Sequence, residues 1–513
     1  MMTKFGRAGR NVCLAVSLMA ATGLSGCDLA PTYRPPNLIL PAEYQGSGSF
    51  RVAQPQDQLV RGAWWHMFQD PILDRLESQL DANNPDLQAA EETYTQARDL
   101  AGEARSELYP QLVANGDLTE NKESVHHLFR TSTSGVNEAT SNEISGTATW
   151  DPDFWSAIRN RTKIYKNQAQ ETAAQVATAR LSLEAALASD YLALRGLDAE
   201  HAVYTQTIAF YGKAVSITQT RLAGKIASGL DVARAQNQLS AAEALDTETL
   251  AQRALLQHAV AVLAGINPSA FMLPMHAGAG PDDSGQVVPV VPAGVPSELL
   301  QRRPDVAQAE RAMAAANAAI GVALAAFYPD IRLSAISGFE DSGFNLASLP
   351  NSLWAVGAYA MLPLFEGGLR RAETQRSWSQ FAQAGDNYRS TVLTAFQQVE
   401  DGLALTGRLA TEATQQQEAE KAALQAQNIT LTLYTGGLDN YLDVAVAQIA
   451  ALTSEIAEVE VQTRRMQAAV SLIQALGGGW NSSDLPTPDQ TLPFDPLSLH
   501  NSASDVHQNK PKS

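Results

Sequence analysis

The sequence predicts an α+β membrane protein whose chain carries two long α-helical hairpins and four β-strands. Three observations predict it. Of 24 prolines, none falls between Pro152 and Pro268 or between Pro363 and Pro486, so two blocks can run as helix without the kink that a proline ring imposes. The segments before these blocks repeat each other at fixed spacing. Short runs of alternating character precede each block at matching places.

Each helical block is rich in Ala, Gln, Glu and Leu. Apolar residues recur at steps of four and three, as in Leu183, Leu187, Tyr191 and Leu194 and in Leu256, Val260 and Leu263, which is the seam of coiled-coil-like packing. The strong turn signal inside each block is Gly224-Lys225-Ile226-Ala227-Ser228-Gly229 in the first and Thr435-Gly436-Gly437-Leu438 in the second. Each block therefore reads as a hairpin. An arm from Ala157 to Leu222 would extend on the order of 100 Å at about 1.5 Å per residue.

The repeat is visible at several points. Pro85-Asp86 leading to Tyr109-Pro110 matches Pro304-Asp305 leading to Tyr328-Pro329 at an offset of 219. Phe154 and Arg159 match Phe365 and Arg370 at 211, and Leu230-Asp231-Val232 matches Leu442-Asp443-Val444 at 212. A duplicated unit with unequal loops accounts for the change of offset. The expected organisation is a lipoprotein signal over 1–26, an extended segment over 27–69, repeats over 70–296 and 297–480, and a polar tail over 481–513.

The candidate strands are Leu112 to Thr119, Ile144 to Trp150, Ile331 to Phe339 and Trp354 to Leu362. Ile331, Leu333, Ala335, Ser337 and Phe339 alternate with smaller or polar residues, as a strand with one apolar and one wet face requires. The stretches Glu120 to Asn142 and Glu340 to Pro350 read as outward-facing loops. Four strands cannot close a barrel, and an open edge in hydrocarbon leaves backbone N–H and C=O groups without partners. Oligomerisation follows, and three copies would supply twelve strands and twelve helical arms.

The N-terminus indicates the compartment. Lys4, Arg7 and Arg10 precede the apolar run from Val12 to Leu24, which ends in Leu24-Ser25-Gly26-Cys27; this is a secretory signal with a lipobox, and Cys27 would become an acylated N-terminus. Cys13, the other cysteine, lies inside the signal, so no disulfide or thiolate metal site is expected. Formal charge is −18, and −21 once the three basic signal residues are removed, which argues against nucleic acid as a partner. The carboxylates fit either a cation-favouring lumen or solvated helix faces. His126-His127 lacks a metal-ligand pattern, and no Gly-Lys-Ser/Thr loop, GxSxG elbow or HExxH helix is present. Neither an enzyme nor a cofactor is expected.

The residues that remain resemble a known family. Leu299-Leu300-Gln301-Arg302-Arg303-Pro304-Asp305, Glu310, Ala315-Ala316-Asn317-Ala318-Ala319-Ile320-Gly321 and Phe327-Tyr328-Pro329 carry the likeness. Pro31-Thr32-Tyr33-Arg34-Pro35, Trp64-Trp65 with Phe68 and Asp70-Pro71, Leu362-Pro363-Leu364-Phe365-Glu366-Gly367-Gly368 and Ala475-Leu476-Gly477-Gly478-Gly479-Trp480 support it. Together they resemble the TolC-like outer-membrane factors, in the lipoprotein branch often called NodT, from Cys27 to about Trp480.

The resemblance implies a homotrimer with a periplasmic α-barrel and a 12-stranded outer-membrane β-barrel, anchored in lipid through Cys27. It implies an exit duct of a tripartite efflux system, served by a periplasmic adaptor and an inner-membrane pump of RND or MFS type. A duct for type I protein secretion is the alternative, and a strand-free coiled-coil lipoprotein is a third reading. The family's adaptor contacts correspond to Gly224, Ser228, Leu230, Asp231 and Val232 and to Gly437, Leu438, Asn440, Tyr441, Leu442, Asp443 and Val444. These residues also suit a plain turn-and-cap role. The family's periplasmic gate points to Asp439 and Asp443, although Asp443 could equally cap the returning helix. Two departures stand out: Ser156, where the family usually has glycine, and Asp28, which next to a lipidated cysteine can act as an inner-membrane retention signal.

Overall fold

The computed structural model describes residues 27–36, 44, 62–122, 138–275, 288–291, 299–343, 345, 348–488 and 490–492. The signal segment, His126-His127 and the end of the polar tail lie outside the described residues. The principal helices are α1 (Pro71–Asn83), α2 (Pro85–Ser106), α3 (Ala157–Ala223), α4 (Gly229–Leu263), α5 (Pro304–Ala325), α6 (Leu369–Thr435) and α7 (Tyr441–Ala475). The strands are β1 (Gln111–Lys122), β2 (Glu138–Trp150), β3 (Asp330–Asp341) and β4 (Ser352–Met361).

The duplication holds residue for residue along the shaft. The long arms α3 and α6 have 67 residues each, the returning arms α4 and α7 have 35, and the leading helices α2 and α5 have 22. At about 1.5 Å per residue the long arms extend roughly 100 Å and the returning arms about half of that. The rod beside each long arm is therefore made of two helices set end to end. At the first joint Asn84 caps α2 and its Nδ2 donates to the Leu263 carbonyl at 2.8 Å. At the second joint, buried Arg303 precedes α5 and donates to the Ala475 carbonyl at 2.8 Å. Glycine is needed there: Gly477 has φ +97°, and a Cβ on it would stand 2.0 Å from the Arg302 carbonyl oxygen. The Arg-Arg-Pro-Asp and Gly-Gly-Gly-Trp strings thus meet and splice the rod.

The principal core lies around these joints. Trp64, Leu73, Leu76, Leu80, Leu87, Leu187, Tyr191, Leu194, Val260, Leu403, Leu472 and Ile473 are buried together. Burying side chains of this size contributes about 1.5–3 kcal/mol each, so the middle of the shaft is its most strongly packed part.

The strands form one antiparallel sheet in the order β1-β2-β3-β4. Their register sorts the side chains. One face carries rows such as Leu112, Ala148, Ala335 and Val356, with Trp150, Leu333 and Ala358 beside them. The opposite face carries Asp117, Glu143 and Glu340 in one row and Val113, Thr147, Ile336 and Ala355 in another. One mostly apolar face and one more polar face suit a sheet with lipid on one side and water on the other. The strands are longer than the alternation suggested. Asn121 pairs with Ala139 and Lys122 with Glu138, so both ends of the expected Glu120–Asn142 loop belong to the ladder. Backbone pairing extends a strand through polar residues that carry no hydrophobic signal. Leu362, conversely, falls just beyond β4.

The corner from β2 into α3 explains one departure from the family pattern. Asp153 accepts from the backbone amides of Ile158 and Arg159, both at 2.9 Å, and pairs with the Arg159 side chain at 3.0 Å. Ser156 sits at φ 57°, in the left-handed region. Its counterpart in the second repeat, Gly368, which likewise stands directly before the long helix, has φ 92°. Glycine occupies this conformation without steric penalty, whereas serine pays roughly 1 kcal/mol.

Candidate functional site

The paired hairpin tips, farthest from the sheet, gather most of the predicted site residues. In the first hairpin α3 ends at Ala223 and the chain reverses over Gly224 to Ser228. Lys225 takes the left-handed conformation, φ 58°, and the Ile226 amide donates back to Arg221 at 2.8 Å. Ser228 caps α4 in a reciprocal box with Asp231: the Asp231 amide donates to Ser228 Oγ at 3.3 Å, and the Ser228 amide to Asp231 Oδ2 at 3.1 Å. In the second hairpin Gly437, φ 77°, does what Lys225 does in the first. Asn440 caps α7, accepting from the Leu442 and Asp443 amides at 2.9 and 3.3 Å, and donates to Asp443 Oδ2 at 2.9 Å. Ser228, Asp231, Asn440 and Asp443 therefore all stabilise helix N-termini, where side-chain acceptors and negative charge are favoured.

Asp439 and Asp443, the predicted gate pair, stand together at the second tip. A side-chain hydrogen bond between them raises the Asp443 carboxyl above the usual carboxylate range, with the charge on Asp439 acting in the same direction. Capping by Asn440 opposes this.

A second set of contacts joins the two hairpins. Arg221, in the last turn of α3, donates to the Tyr434 carbonyl at 2.6 Å and the Thr435 carbonyl at 3.3 Å, and its guanidinium lies 4.5 Å from the Tyr434 ring centre. A cation there meets the negative end of α6. Within the second hairpin, Tyr434 packs edge-on against Tyr441 at 5.4 Å. Gln238 donates to the Ala445 carbonyl at 3.0 Å, and Tyr211 to the Gln448 carbonyl at 3.0 Å. Burial pushes the Tyr441 hydroxyl up to about 12, so it remains a neutral donor, reaching Gln238 Oε1 at 3.3 Å.

The tip residues divide by exposure. Leu230, Leu438 and Leu442 are exposed, together with Ile226, which the sequence reading omitted. Gly224, Ser228 and Gly437 are also exposed, while Asp231 and Val232 are half-buried. Tyr441 and Val444 are buried in the seam between the hairpins and face their own neighbours. Arg221, Gln238, Tyr434 and Gln448 escaped the sequence reading. Arg221 looked like an ordinary cation in the last turn of its own helix, and the glutamines sit among many others.

Among the described residues, no group of three or more His, Cys, Asp and Glu is placed to hold a metal ion. No described helix is long and apolar enough to cross a membrane. Residues 76–266 and 295–478 match the family profile described as outer membrane efflux protein. The chain belongs to that family.

This efflux protein is 29% identical over 467 residues to the probable efflux pump outer membrane protein TtgC of Pseudomonas putida, covering 89% of this chain and 93% of the relative. It is 30% identical to the pyoverdine export outer membrane protein OpmQ of Pseudomonas aeruginosa, over 91% of this chain and 97% of OpmQ. Among solved structures, a membrane protein from Pseudomonas aeruginosa superposes with a TM-score of 0.79 at 26% identity, over 88% of this chain and all of that one. The outer membrane protein VceC of Vibrio cholerae gives 0.75 at 26%, over 81% and 98%. The TolC-like resemblance is thereby established over both repeats. The efflux protein is an outer-membrane exit duct with a periplasmic portion, from a family of channel and transport proteins.

Proposed function

We propose that three copies join β4 of one protomer to β1 of the next, closing a 12-stranded barrel above a tube of twelve helical arms. The observation that carries this reading is the four-stranded sheet: its two outer strands each have one pairing neighbour, and its faces differ in polarity. Strands of 10 to 13 residues, at about 3.3 Å per residue and tilted by about 40°, match the roughly 25 Å apolar band of an outer membrane.

The duct carries small molecules passively and has no catalytic step of its own. A periplasmic adaptor and an inner-membrane pump, of RND or MFS type, supply cargo and energy. Docking falls on the tips, at Gly224, Ser228, Leu230, Asp231, Val232, Gly437, Leu438, Asn440 and Leu442, with Asp439 and Asp443 repeated threefold at the gate. Tyr441 and Val444 act from within by holding the hairpins together. Cys27 carries a lipid that anchors the chain to the outer membrane. Relatives named for efflux of toluene, of antibiotics and of cations support a duct whose cargo is chosen by the pump.

Deleting the gene and following accumulation of chemically diverse compounds, with protein secretion assayed in parallel, tests the reading. Raised accumulation with unchanged secretion is expected. Lost protein export with normal small-molecule efflux would instead establish the type I secretion duct.

A further inference from the structure

The chain between Asp28 and Tyr33 is fastened along α5 and across the start of α3. Asp28 Oδ1 accepts from Asn160 Nδ2 at 3.0 Å and from the Ala30 amide at 3.1 Å, and its other oxygen pairs with the Lys163 ammonium. Burial works against charge on Asp28, but the hydrogen bonds from Lys163, Asn160 and Ala30 outweigh it and hold the carboxyl below the usual range. Asn160 is itself fully buried. Gly321 forms the floor: a Cβ on it would stand 2.5 Å from Asn160 Nδ2 and 2.8 Å from the Ala30 Cβ. Farther along, Asn317 donates to the Pro31 carbonyl at 2.8 Å and the Tyr33 hydroxyl to Glu310 Oε1 at 2.6 Å. Asn317 and Gly321 thus seat this strap.

The contact sits at a particular level of the molecule. Asn160 and Lys163 occupy the first two turns of α3, just after the chain leaves the sheet. Trp155, in the intervening corner, stacks on Tyr328 at 4.5 Å and donates to the Pro329 carbonyl at 2.9 Å, while the Trp150 indole donates to the Leu108 carbonyl at 3.0 Å. Amphipathic aromatics collect where hydrocarbon gives way to water. Cys27, exposed, lies one residue from Asp28.

We propose that Asp28 is a clip that sets the depth of the N-terminal lipid: bound to Asn160 and Lys163, it holds Cys27 at the membrane boundary beneath the sheet. This rests on the acylation of Cys27 proposed above. Acyl chains on a terminus held there enter the bilayer directly, with no slack chain to order when they insert. A carboxylate engaged in this way also has a structural reason to be present, distinct from a role as a retention signal.

The test uses the full-length protein in lipid nanodiscs. Hydrogen exchange over residues 27–36 is compared among wild type, Asp28→Asn, Lys163→Met and the double variant, with Gly321→Ala as a variant that displaces both the strap and the Asn160 amide that holds it. Severalfold faster exchange in each single variant is expected, with the double variant no faster than either single one and the hairpin tips unchanged. Envelope fractionation should find Asp28→Asn in the outer membrane to the same extent as wild type. Unchanged exchange in both Asp28→Asn and Lys163→Met would overturn the clip. So would a shift of Asp28→Asn alone from inner to outer membrane, which is the signature of a retention signal. Intact mass reads acylation separately: an unmodified Cys27 refutes the lipid anchor, whatever the exchange data show.

Discussion

Glu77 makes the stability of the shaft depend on pH in a direction opposite to that of an ordinary carboxylate. It lies on α1 with no exposed surface, and neither carboxylate oxygen has a hydrogen-bond partner. Leu73, Leu76 and Leu80 of the same helix are buried with Trp64 in the adjoining core. Burial, then the charges of Glu184, Asp81 and Asp74, push Glu77 up to about 10 from 4.5. Across the interface Glu184 is pushed up to about 7 by burial, although the Trp64 indole donates to it at 3.0 Å. Arg180, the nearby cation, pairs with Asp81 at 3.4 Å and Glu91 at 3.2 Å. The folded state therefore retains a proton on Glu77 that the unfolded chain releases. The stabilisation is fully present below about 4.5 and is lost as pH rises towards 10, at about 1.4 kcal/mol per pH unit for one proton. Glu184 adds to the slope between about 4.5 and 7. Thermal unfolding followed by near-ultraviolet circular dichroism at pH 5.5, 7 and 8.5 should show a falling midpoint. Glu77→Gln should flatten the decline above pH 7, and Glu77→Leu should raise the midpoint at pH 8.5. A wild-type midpoint that does not change with pH, or a Glu77→Gln slope equal to that of wild type, would refute the reasoning.

Three further outcomes are expected. Arg221→Gln removes the cation from the end of α6 and should weaken the link between hairpins by about 1–2 kcal/mol, read as higher single-channel conductance in planar bilayers. Gly477→Ala places a Cβ against the Arg302 carbonyl and should cost about 3 kcal/mol or more, seen as reduced yield and a lower melting midpoint. Ser156→Gly should raise stability by up to about 1 kcal/mol, measured by the same melts, because it relieves the left-handed strain without disturbing Asp153.

Much of this architecture was legible before any coordinate. The proline gaps and the Gly224 and Gly437 reversals delimit the hairpins because helix continuity is a local property of the chain. The 219 and 212 offsets reappear as equal helix lengths. Pairwise facts were hidden. The strands alternate weakly one by one, and their two-faced character emerges only when the register lines up Leu112 with Ala148, Ala335 and Val356. At the tips the capping residues announced themselves, since Ser228-x-x-Asp231 is a local pattern. Arg221 did not, because its partner is 213 residues away. Glu77 looked like any polar residue on an amphipathic helix until the opposing helix put Glu184 over it.

The splices at Asn84 and Arg303 have a mechanical consequence. α3 and α6 are single rods from the base of the sheet to the tips, whereas the rods beside them are each two pieces abutted end to end. An unbroken helix is stiff along its axis, and a spliced one bends first at its break. A sideways load on the tips is therefore carried by two struts and relieved halfway up, within the best-packed part of the shaft. The strand ladder lies beyond the splices, so the tips can shift sideways while the sheet keeps its register.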